Sequence, residues 1–378
     1  MADAVHSDVV IIGASAAGLA VAACLQREGV PSVKILEKAD RIAVSWRSHY
    51  DRLHLHTARQ HSALPGLPMP ADYPKYPSRD QVVSYLENYA SHFGLKPEFG
   101  QEVISVEQQN GHWLTRTRDK AFQSSKIVFA TGYNRVPNMP EWPNRDHFGG
   151  EILHSSSYKN GQSFKGKKVL VIGFGNSGGE IAIDLHEHGA EPSIAVRSAV
   201  NIIPRDILGL PILSVGIFLS RFSSTTSDRL SAPLLNFIIG DLTRYGLRKL
   251  PYGPITQIRR EHRVPLLDIG TVALIKKGAI KVRPGIRQFL PDGVEFDDHT
   301  REIFDAVVCA TGYSPDLKPF FANSGGVLDR AGAPVKSGVE SERPGLYFCG
   351  YYISPNGMLR EIGIEAQHIS QDIRSKLG

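Results

Sequence analysis

Two glycine-rich turns, each preceded by a run of aliphatic residues, are the feature that most constrains the fold. VVIIGASAAGLA occupies residues 9–20, and VLVIGFGNSGGE occupies residues 169–180. A buried strand, a tight glycine turn and a helix whose first amide groups face a pyrophosphate form the opening of a dinucleotide-binding fold. Because this chain begins that fold twice, we predict that it binds two dinucleotides.

A second pair of similar segments indicates how the two folds are joined. IVFATGYN at 127–134 and VVCATGYS at 307–314 each end an aliphatic strand with Ala-Thr-Gly-Tyr. An internal repeat of this size predicts two similar domains. We interpret each Ala-Thr-Gly as a crossing point between domains, where small residues permit close approach. The predicted fold is α/β, with two Rossmann-like dinucleotide-binding domains, the second inserted into the first. The first comprises residues 1–135 plus 313–378, and the inserted one comprises 136–312, with an apolar helical segment at 207–240.

The residue at the end of the next strand differs between the two halves. Glu37 stands nineteen residues after Gly18. An acid at this place accepts a hydrogen bond from a ribose 2′-hydroxyl and selects an unphosphorylated ribose, as in FAD or NAD. Arg197, followed by Ser198, stands nineteen residues after Gly178. A guanidinium binds the 2′-phosphate that a carboxylate would repel, so the second half is predicted to prefer NADPH to NADH.

The first turn departs from the usual pattern at its middle glycine. It reads Gly13-x-Ser15-x-x-Gly18, whereas the turn at 173–178 has all three glycines. The middle glycine normally lets the backbone approach the pyrophosphate. Ser15 adds a Cβ atom there, and its hydroxyl can instead donate to a phosphate oxygen.

Composition and charge argue against several other classes of protein. The net charge is +5, and Lys and Arg are scattered between acids, so no nucleic-acid partner is expected. Cys24, Cys309 and Cys349 have neither CxxC nor metal-ligand spacing, which predicts structural thiols, no metal site and a cytoplasmic location. MADAVHSD leads directly into a strand pattern and leaves no room for a signal peptide. The most apolar tract, 207–222, is interrupted by glycine and proline, so no transmembrane segment is expected.

The segment between the two halves carries a family fingerprint. Residues 147–160, HFGGEILHSSSYKN, contain Phe148-x-Gly150-xxx-His154-xxx-Tyr158-Lys159, which resembles the fingerprint of class B flavin-containing monooxygenases. Related Baeyer-Villiger enzymes carry Trp where Tyr158 stands, which favours the flavin-containing monooxygenase branch. Three further segments resemble the plant YUCCA group and its bacterial relatives, namely YDRLHLHTARQHSALPG at 50–66, YPKYPSRDQVVSYLENYA at 73–90 and PLLDIG at 265–270.

The resemblance implies an enzyme that uses FAD, NADPH and O2. FAD reduced by NADPH would react with O2 to give a C4a-hydroperoxyflavin, which would transfer one oxygen atom to a small apolar or aromatic substrate. S- or N-oxygenation, indole oxidation and oxidative decarboxylation of an α-keto acid such as indole-3-pyruvate all stay open. Two other functions also stay open. One is an FAD- and NADPH-dependent reductase or NADPH oxidase without oxygen insertion, and the other is a nucleotide-sensing module without activity.

Candidate catalytic residues also follow from the resemblance. His56 stands where animal relatives place an asparagine near the flavin, so His56, Arg59 and Gln60 are the candidate catalytic wall. A histidine on a strand edge is the alternative for His56. His154 is expected to hydrogen-bond the linker rather than act as a base. The segment 207–240 is expected to supply an apolar wall for the substrate, with a helix pair that packs in a dimer or between domains as the alternative.

The third FAD motif of related proteins usually ends in Gly-Asp, but here Gly350 is followed by Tyr351. Asn356-Gly357-Met358-Leu359 is expected to begin the last helix, whose N-terminal dipole would favour negative charge on the flavin. The candidate cofactor-binding residues of the first domain are Gly13, Ser15, Ala16, Gly18, Glu37, Lys38, Ser45, Trp46, Val103, Thr131, Gly132, Tyr133, Gly350, Met358 and Leu359. Those of the inserted domain are Phe148, His154, Gly173, Gly175, Asn176, Ser177, Gly178, Arg197, Ser198, Thr311 and Gly312.

Overall fold

The computed structural model describes residues 4–207, 209–212, 214, 216, 223–261, 263–354 and 356–377. The chain forms two compact units, of which the first comprises residues 1–47, 57–136 and 313–378 and the second comprises 48–56 and 137–312. The sequence predicts 48–56 in the first domain, but in the structure this segment belongs to the second unit. The reason is that Tyr50 and Leu53 pack into the hydrophobic core of the second unit.

The described ranges contain the following helices and strands. The helices are α1 (Ala16–Arg27), α2 (Val44–Ser48), α3 (Arg79–His92), α4 (Asn176–Glu187), α5 (Ser224–Ile239), α6 (Pro254–Glu261), α7 (Thr271–Lys276) and α8 (Met358–Leu377). The first ten strands are β1 (Val5–Ile12), β2 (Val33–Leu36), β3 (Val103–Gln109), β4 (His112–Thr117), β5 (Ala121–Phe129), β6 (Val136–Pro137), β7 (Glu151–His154), β8 (Lys168–Ile172), β9 (Glu191–Ala195) and β10 (Ile202–Pro204). The others are β11 (Asp206–Ile207), β12 (Leu210–Pro211), β13 (Leu266–Asp268), β14 (Lys281–Arg283), β15 (Ile286–Leu290), β16 (Gly293–Phe296), β17 (Arg301–Ile303), β18 (Ala306–Cys309), β19 (Tyr313–Ser314) and β20 (Leu346–Phe348).

The first unit is built on a mixed sheet with the order β2-β1-β5-β4-β3, and β20 pairs with the last residues of β5. β1 is parallel to β2 and β5, and β20 is parallel to β5, whereas β4 runs antiparallel to β3 and β5. Ile12 and Phe348 both lie opposite Phe129. The glycine turn, the first Ala-Thr-Gly and Gly350 therefore begin at the same edge of this sheet.

Aromatic packing fixes that edge. The ring of Phe129 lies 5.4 Å from the ring of Phe320, 5.2 Å from that of Phe321 and 5.6 Å from that of Phe348, measured between centroids. Aromatic pairs at such distances stabilise a core beyond the area they bury. The strand ends that carry the candidate first nucleotide site are thus held by a well-packed core.

The second unit contains a parallel sheet with the order β14-β9-β8-β18-β7. Ala195 and Cys309 both lie opposite Ile172, and Cys309 also lies opposite His154. Because parallel strands share one carboxyl edge, the turn at 173–178, Arg197 and the second Ala-Thr-Gly emerge side by side. Ligands of open α/β sheets bind at this edge. The antiparallel strands β15, β16 and β17 form a separate small sheet.

Candidate nucleotide sites and catalytic wall

Both glycine turns have the same local geometry. Gly13 and Gly173 have φ angles of +108° and +105°, in the left-handed region that favours glycine. A Cβ atom on Gly13 would lie 2.7 Å from the carbonyl oxygen of Ala130, and one on Gly173 would lie 2.5 Å from that of Ala310. The close approach predicted for each Ala-Thr-Gly is therefore made to the glycine turn of its own unit.

The middle position of the turn differs between the units. A Cβ atom on Gly175 would have no heavy atom within 4 Å, so the backbone there faces open space. Ser15 takes the corresponding place as the N-cap of α1, makes no side-chain capping bond, and has its hydroxyl 3.5 Å from that of Ser45. The first amide groups of a helix are not used within the helix. Both turns thus fit a pyrophosphate, the first with a serine hydroxyl as an additional donor.

Glu37 lies beside the first turn, directly after β2. Its carboxylate accepts from the backbone N–H of Ala14 at 2.8 Å and from that of Ala39 at 3.0 Å. These two bonds fix the orientation of the carboxylate. Each carboxylate oxygen can accept a further hydrogen bond, so a ribose hydroxyl fits here and a phosphate would be repelled.

Arg197 and Ser198 are exposed at the end of β9 in the second unit. Within the described part of the chain, the Arg197 guanidinium has no carboxylate partner. Its backbone carbonyl accepts from Nη2 of Arg248 at 2.8 Å, which brings a second guanidinium to the same place. Sequence reasoning missed Arg248, since only the fold brings it to the end of β9. This positive surface fits a 2′-phosphate.

The side chain of Asn176, the first residue of α4, makes one hydrogen bond within the protein. Its Oδ1 atom accepts from the backbone N–H of Leu267 at 2.7 Å, which ties the PLLDIG segment to the start of the helix. Asp268 in turn accepts from the backbone N–H of Val272 at 3.0 Å. The side chain of Asn176 therefore keeps its amide N–H groups and one lone pair of Oδ1 for a ligand.

His154 of the fingerprint hydrogen-bonds the second Ala-Thr-Gly. Its Nδ1 atom accepts from the backbone N–H of Ser156 at 3.1 Å, so Nε2 is the atom that donates to the carbonyl oxygen of Gly312, also at 3.1 Å. Burial lowers the pKa of His154, which favours this neutral form. The geometry shows His154 as a neutral donor that holds the end of β18.

Two aromatic residues of the fingerprint hold it on the core of the second unit. The hydroxyl of Tyr158 donates to Oδ2 of the buried Asp184 at 2.5 Å. Burial and this hydrogen bond raise the pKa of Tyr158. Phe148 packs edge-on against Phe289, with 5.6 Å between ring centroids. These contacts give Phe148 and Tyr158 structural roles.

The three predicted catalytic residues are divided between the units. His56 belongs to the second unit, where its Nε2 atom lies 2.5 Å from Oε1 of Glu180. Arg59 belongs to the first unit and donates through its guanidinium to the carbonyl oxygens of Ala71 and Tyr73. Gln60 is exposed in the same unit. Sequence reasoning missed Glu180, although the glycine-turn motif ends on it.

A buried carboxylate reaches the third motif from the last helix. Gly350 donates its backbone N–H to Oε2 of Glu365 at 2.5 Å, and burial raises the pKa of Glu365. The hydroxyl of Tyr351, which replaces the usual Asp, lies 2.8 Å from Oγ1 of Thr131. Tyr351 thus links two chain segments at the edge of the first sheet. Sequence reasoning missed Glu365 because nothing in the motif indicates it.

The remaining candidates lie at element ends and in loops. Gly132 and Gly312 have positive φ angles, and the Thr311 hydroxyl donates to the carbonyl of Asn138. Met358 is the first residue of α8, so the last helix begins two residues after Asn356, the first residue of the predicted start. Gly18 and Ala16 lie in the first turn of α1, and Gly178 and Ser177 lie in that of α4. The other candidates have these places: Lys38 is exposed after β2, Ser45 and Trp46 lie in α2, Val103 begins β3, Tyr133 follows β5, and Leu359 is buried in α8.

The predicted apolar segment 207–240 is described only in part, because residues 208, 213, 215 and 217–222 lie outside the described residues. Its helix α5 exposes Leu230, Leu234 and Phe237, the last to 86%. Among the helices of the described ranges, none is long and apolar enough to cross a bilayer.

Comparison with known proteins assigns the family. The model of the family described as FMO-like, flavin-binding monooxygenase-like, matches residues 6–331. The chain belongs to this family. The resemblance to class B flavin monooxygenases is therefore confirmed, and this flavin-binding monooxygenase uses FAD and NADPH.

Among the relatives of this monooxygenase are two named plant enzymes. It is 38% identical over 372 residues to indole-3-pyruvate monooxygenase YUCCA1 of Oryza sativa subsp. japonica, covering 96% of the chain and 90% of the relative. It is 39% identical over 376 residues to indole-3-pyruvate monooxygenase YUCCA6 of Arabidopsis thaliana, covering 96% and 89%. The predicted similarity to the YUCCA group is thus confirmed.

Solved structures show the same mixed α/β fold. The flavin-containing monooxygenase of Stenotrophomonas maltophilia matches with a TM-score of 0.76 at 23% identity, covering 99% of this chain and all of the other. Cyclohexanone monooxygenase of Rhodococcus sp. Phi1, bound to NADP+, matches with a TM-score of 0.76 at 19% identity, covering 99% and 85%. At these identities the likeness concerns the fold alone.

Proposed function

We propose that this flavin-dependent monooxygenase oxidises an aromatic α-keto acid of the indole-3-pyruvate type, with loss of CO2. The observation that carries the two-nucleotide chemistry is the opposite charge at matching strand ends, Glu37 in the first unit and Arg197 in the second. The substrate class comes from the relatives named indole-3-pyruvate monooxygenases, which match nearly the whole chain. S- and N-oxygenation of apolar compounds are the competing reactions.

The proposal assigns one nucleotide to each unit. FAD binds the Rossmann-like first unit through the turn at 13–18, with Glu37 on its ribose. NADPH binds the Rossmann-like second unit, which is inserted into the first, through the turn at 173–178, with Arg197 and Ser198 on its 2′-phosphate. The other candidate cofactor-binding residues are proposed to complete these two sites, except Phe148, which precedes β7 and packs on Phe289. The room at Gly175 and the fixed carboxylate of Glu37 support this assignment.

When bound, FAD reduced by NADPH activates O2 for transfer of one oxygen atom. The protein has to orient the nucleotides and exclude water during that step. His56, Arg59 and Gln60 are proposed to line the wall of the reaction site. The buried Nδ1 atom of His56 supports a ligand contact there. Arg59 donates to the backbone carbonyls of Ala71 and Tyr73, so we propose that it maintains the backbone conformation of that wall.

The apolar segment 207–240 is proposed to guide the substrate, and its helix α5 is also the proposed surface of a homodimer. The exposed stripe of Leu230, Leu234 and Phe237 supports both uses. A cytoplasmic location is proposed as well, and the three buried cysteine thiols are compatible with it. Light scattering of the purified enzyme measures the oligomeric state directly.

The test is NADPH consumption by the flavin-loaded enzyme with indole-3-pyruvate, a thioether and a tertiary amine, each product being identified by mass. The proposal expects indole-3-acetate and CO2 in step with NADPH consumed. Product only from the thioether or the amine would move the enzyme to another substrate class. NADPH consumption that yields only H2O2 with every compound would identify an NADPH oxidase.

A further inference from the structure

The segment 48–56 is held on the second unit by several independent contacts. Asp51 donates its backbone N–H to the carbonyl of Lys159 at 2.9 Å and accepts from Nδ2 of Asn160 at 2.8 Å. Nζ of Lys159 donates to the carbonyl of Ser48 at 2.5 Å. Arg52 forms an ion pair with Glu187 of α4. This anchoring sets the position of His56 at the end of the segment.

The side chains of His56 and Glu180 are in contact and largely buried. The side chains of His56 and Glu180 are 14% and 3% exposed, and the Nε2 to Oε1 distance is 2.5 Å. An ionised carboxylate only accepts, so Nε2 of His56 carries the proton of this hydrogen bond. In the neutral imidazole Nδ1 is then an acceptor. That Nδ1 atom is buried, and it has no hydrogen-bond partner within the described ranges of the chain.

The pair lies on the helix that begins at the second glycine turn. Glu180 follows Gly178 by two positions in α4, whose N-terminus fits the pyrophosphate. Arg197 at the end of β9 suits the phosphorylated adenosine half of NADPH. The nicotinamide nucleoside half carries hydroxyl and amide N–H groups, which are the donors that a neutral Nδ1 atom needs. A buried acceptor without a protein partner points to a ligand donor.

We propose that Glu180 is a positioning residue that fixes His56, so that Nδ1 of His56 accepts a hydrogen bond from the nicotinamide nucleoside half of the bound dinucleotide. This inference rests on the proposed placement of NADPH in the second unit. It adds a residue, Glu180, that acts only through His56.

Equilibrium binding of NADP+ to the flavin-loaded enzyme tests the pair without turnover. We expect His56→Phe to weaken Kd about three- to tenfold, the range of one lost hydrogen bond. Glu180→Gln should weaken it about two- to fivefold, because Gln still accepts from Nε2 but without charge. The double variant should bind no more weakly than His56→Phe, because both changes remove the same contact. Additive losses, or an unchanged Kd for His56→Phe, would overturn the proposal.

Two controls distinguish loss of this contact from a nonspecific effect of the substitution on the protein. Glu191→Gln removes an exposed carboxylate at the first residue of β9 in the same unit and leaves all the contacts of segment 48–56 described above in place, so the Kd of this variant for NADP+ should change less than about twofold. Adenosine 2′,5′-bisphosphate lacks the nicotinamide half, so His56→Phe should leave its affinity unchanged. If His56→Phe weakened the binding of NADP+ and of adenosine 2′,5′-bisphosphate by equal factors, a contact with the nicotinamide half would be refuted.

Far-UV circular dichroism and thermal unfolding establish that each variant is folded. If His56→Phe does not fold, His56→Leu, which also lacks a hydrogen-bond acceptor, takes its place in the same cycle with the same expected results. Product formation by the unaltered enzyme decides the proposed reaction separately. The binding cycle can therefore refute the role of His56 and Glu180 without refuting the monooxygenase reaction. Absence of the expected product would refute the reaction without changing the binding result.

Discussion

Replacement of Arg197 by Ala tests the charge selection at the second nucleotide site. The Arg197 guanidinium has no carboxylate partner in the part of the chain that the structure describes, so its removal breaks no internal ion pair. We therefore expect a change in unfolding free energy within about 0.5 kcal/mol, as for most surface substitutions. Any effect on coenzyme binding then reports the phosphate contact itself.

The magnitude follows from the exposure of Arg197. A hydrogen bond to a charged group contributes roughly 1.5–3 kcal/mol, and screening at an exposed site reduces this to about 1–2 kcal/mol. Such a loss weakens NADPH binding about 5- to 30-fold. NADH lacks the 2′-phosphate, so its affinity should change less than about twofold. The Arg248 guanidinium, which donates to the Arg197 carbonyl, retains part of the positive charge and keeps the expected loss in this range.

The assay compares KM and kcat for NADPH and NADH in steady-state oxidation by the flavin-loaded enzyme. Arg118→Ala is the matched control, because it removes an exposed guanidinium from the first unit, where Arg118 pairs with Glu102. The ratio of kcat/KM values for NADPH and NADH should fall for Arg197→Ala and stay constant for Arg118→Ala. Equal losses for both coenzymes in Arg197→Ala would remove Arg197 from the phosphate site.

Three further predictions concern single side chains. Ser15→Gly should retain FAD as well as or better than the unaltered enzyme in dialysis followed by absorbance; weaker retention would show that the hydroxyl is a phosphate donor. Tyr158→Phe removes the hydroxyl that donates to the buried Asp184, so it should lower the free energy of unfolding in urea by about 1–3 kcal/mol. An unchanged urea midpoint would contradict a stabilising role for this hydrogen bond. Burial lowers the pKa of His154 below its ordinary value of 6.5, so the unfolded chain binds the proton first and stability falls as the pH drops below that value. His154→Gln should lose stability less steeply than the unaltered enzyme between pH 7 and about 5, and identical slopes would rule out this origin.

The sequence predicted features that are close together along the chain. The glycine turns, Glu37 and Arg197 follow strands at fixed short intervals, so local patterns are enough to find them. The pairs His56 with Glu180, Arg197 with Arg248, and Gly350 with Glu365 join residues far apart in the chain. Nothing in a single sequence indicates such pairs, because they depend on which strands and helices become neighbours.

One segment also shows the limit of pattern reasoning about domains. The apolar residues Tyr50 and Leu53 are recognisable as buried, but the pattern does not say in which core. The structure places them in the core of the second unit, and with them His56. The sequence predicted His56 as a site residue through its family resemblance, whereas its carboxylate partner emerged only from the fold.

Labelled oxygen gives the most direct test of the account. The flavin-loaded enzyme would convert indole-3-pyruvate under 18O2 with NADPH, with catalase present to remove free H2O2, which decarboxylates α-keto acids by itself. Mass spectrometry would then count the labelled atoms in the product. We predict one 18O atom in the carboxylate of indole-3-acetate, with one CO2 released for each NADPH consumed. Unlabelled product, or NADPH consumption without product while catalase is present, would contradict oxygen transfer by this enzyme.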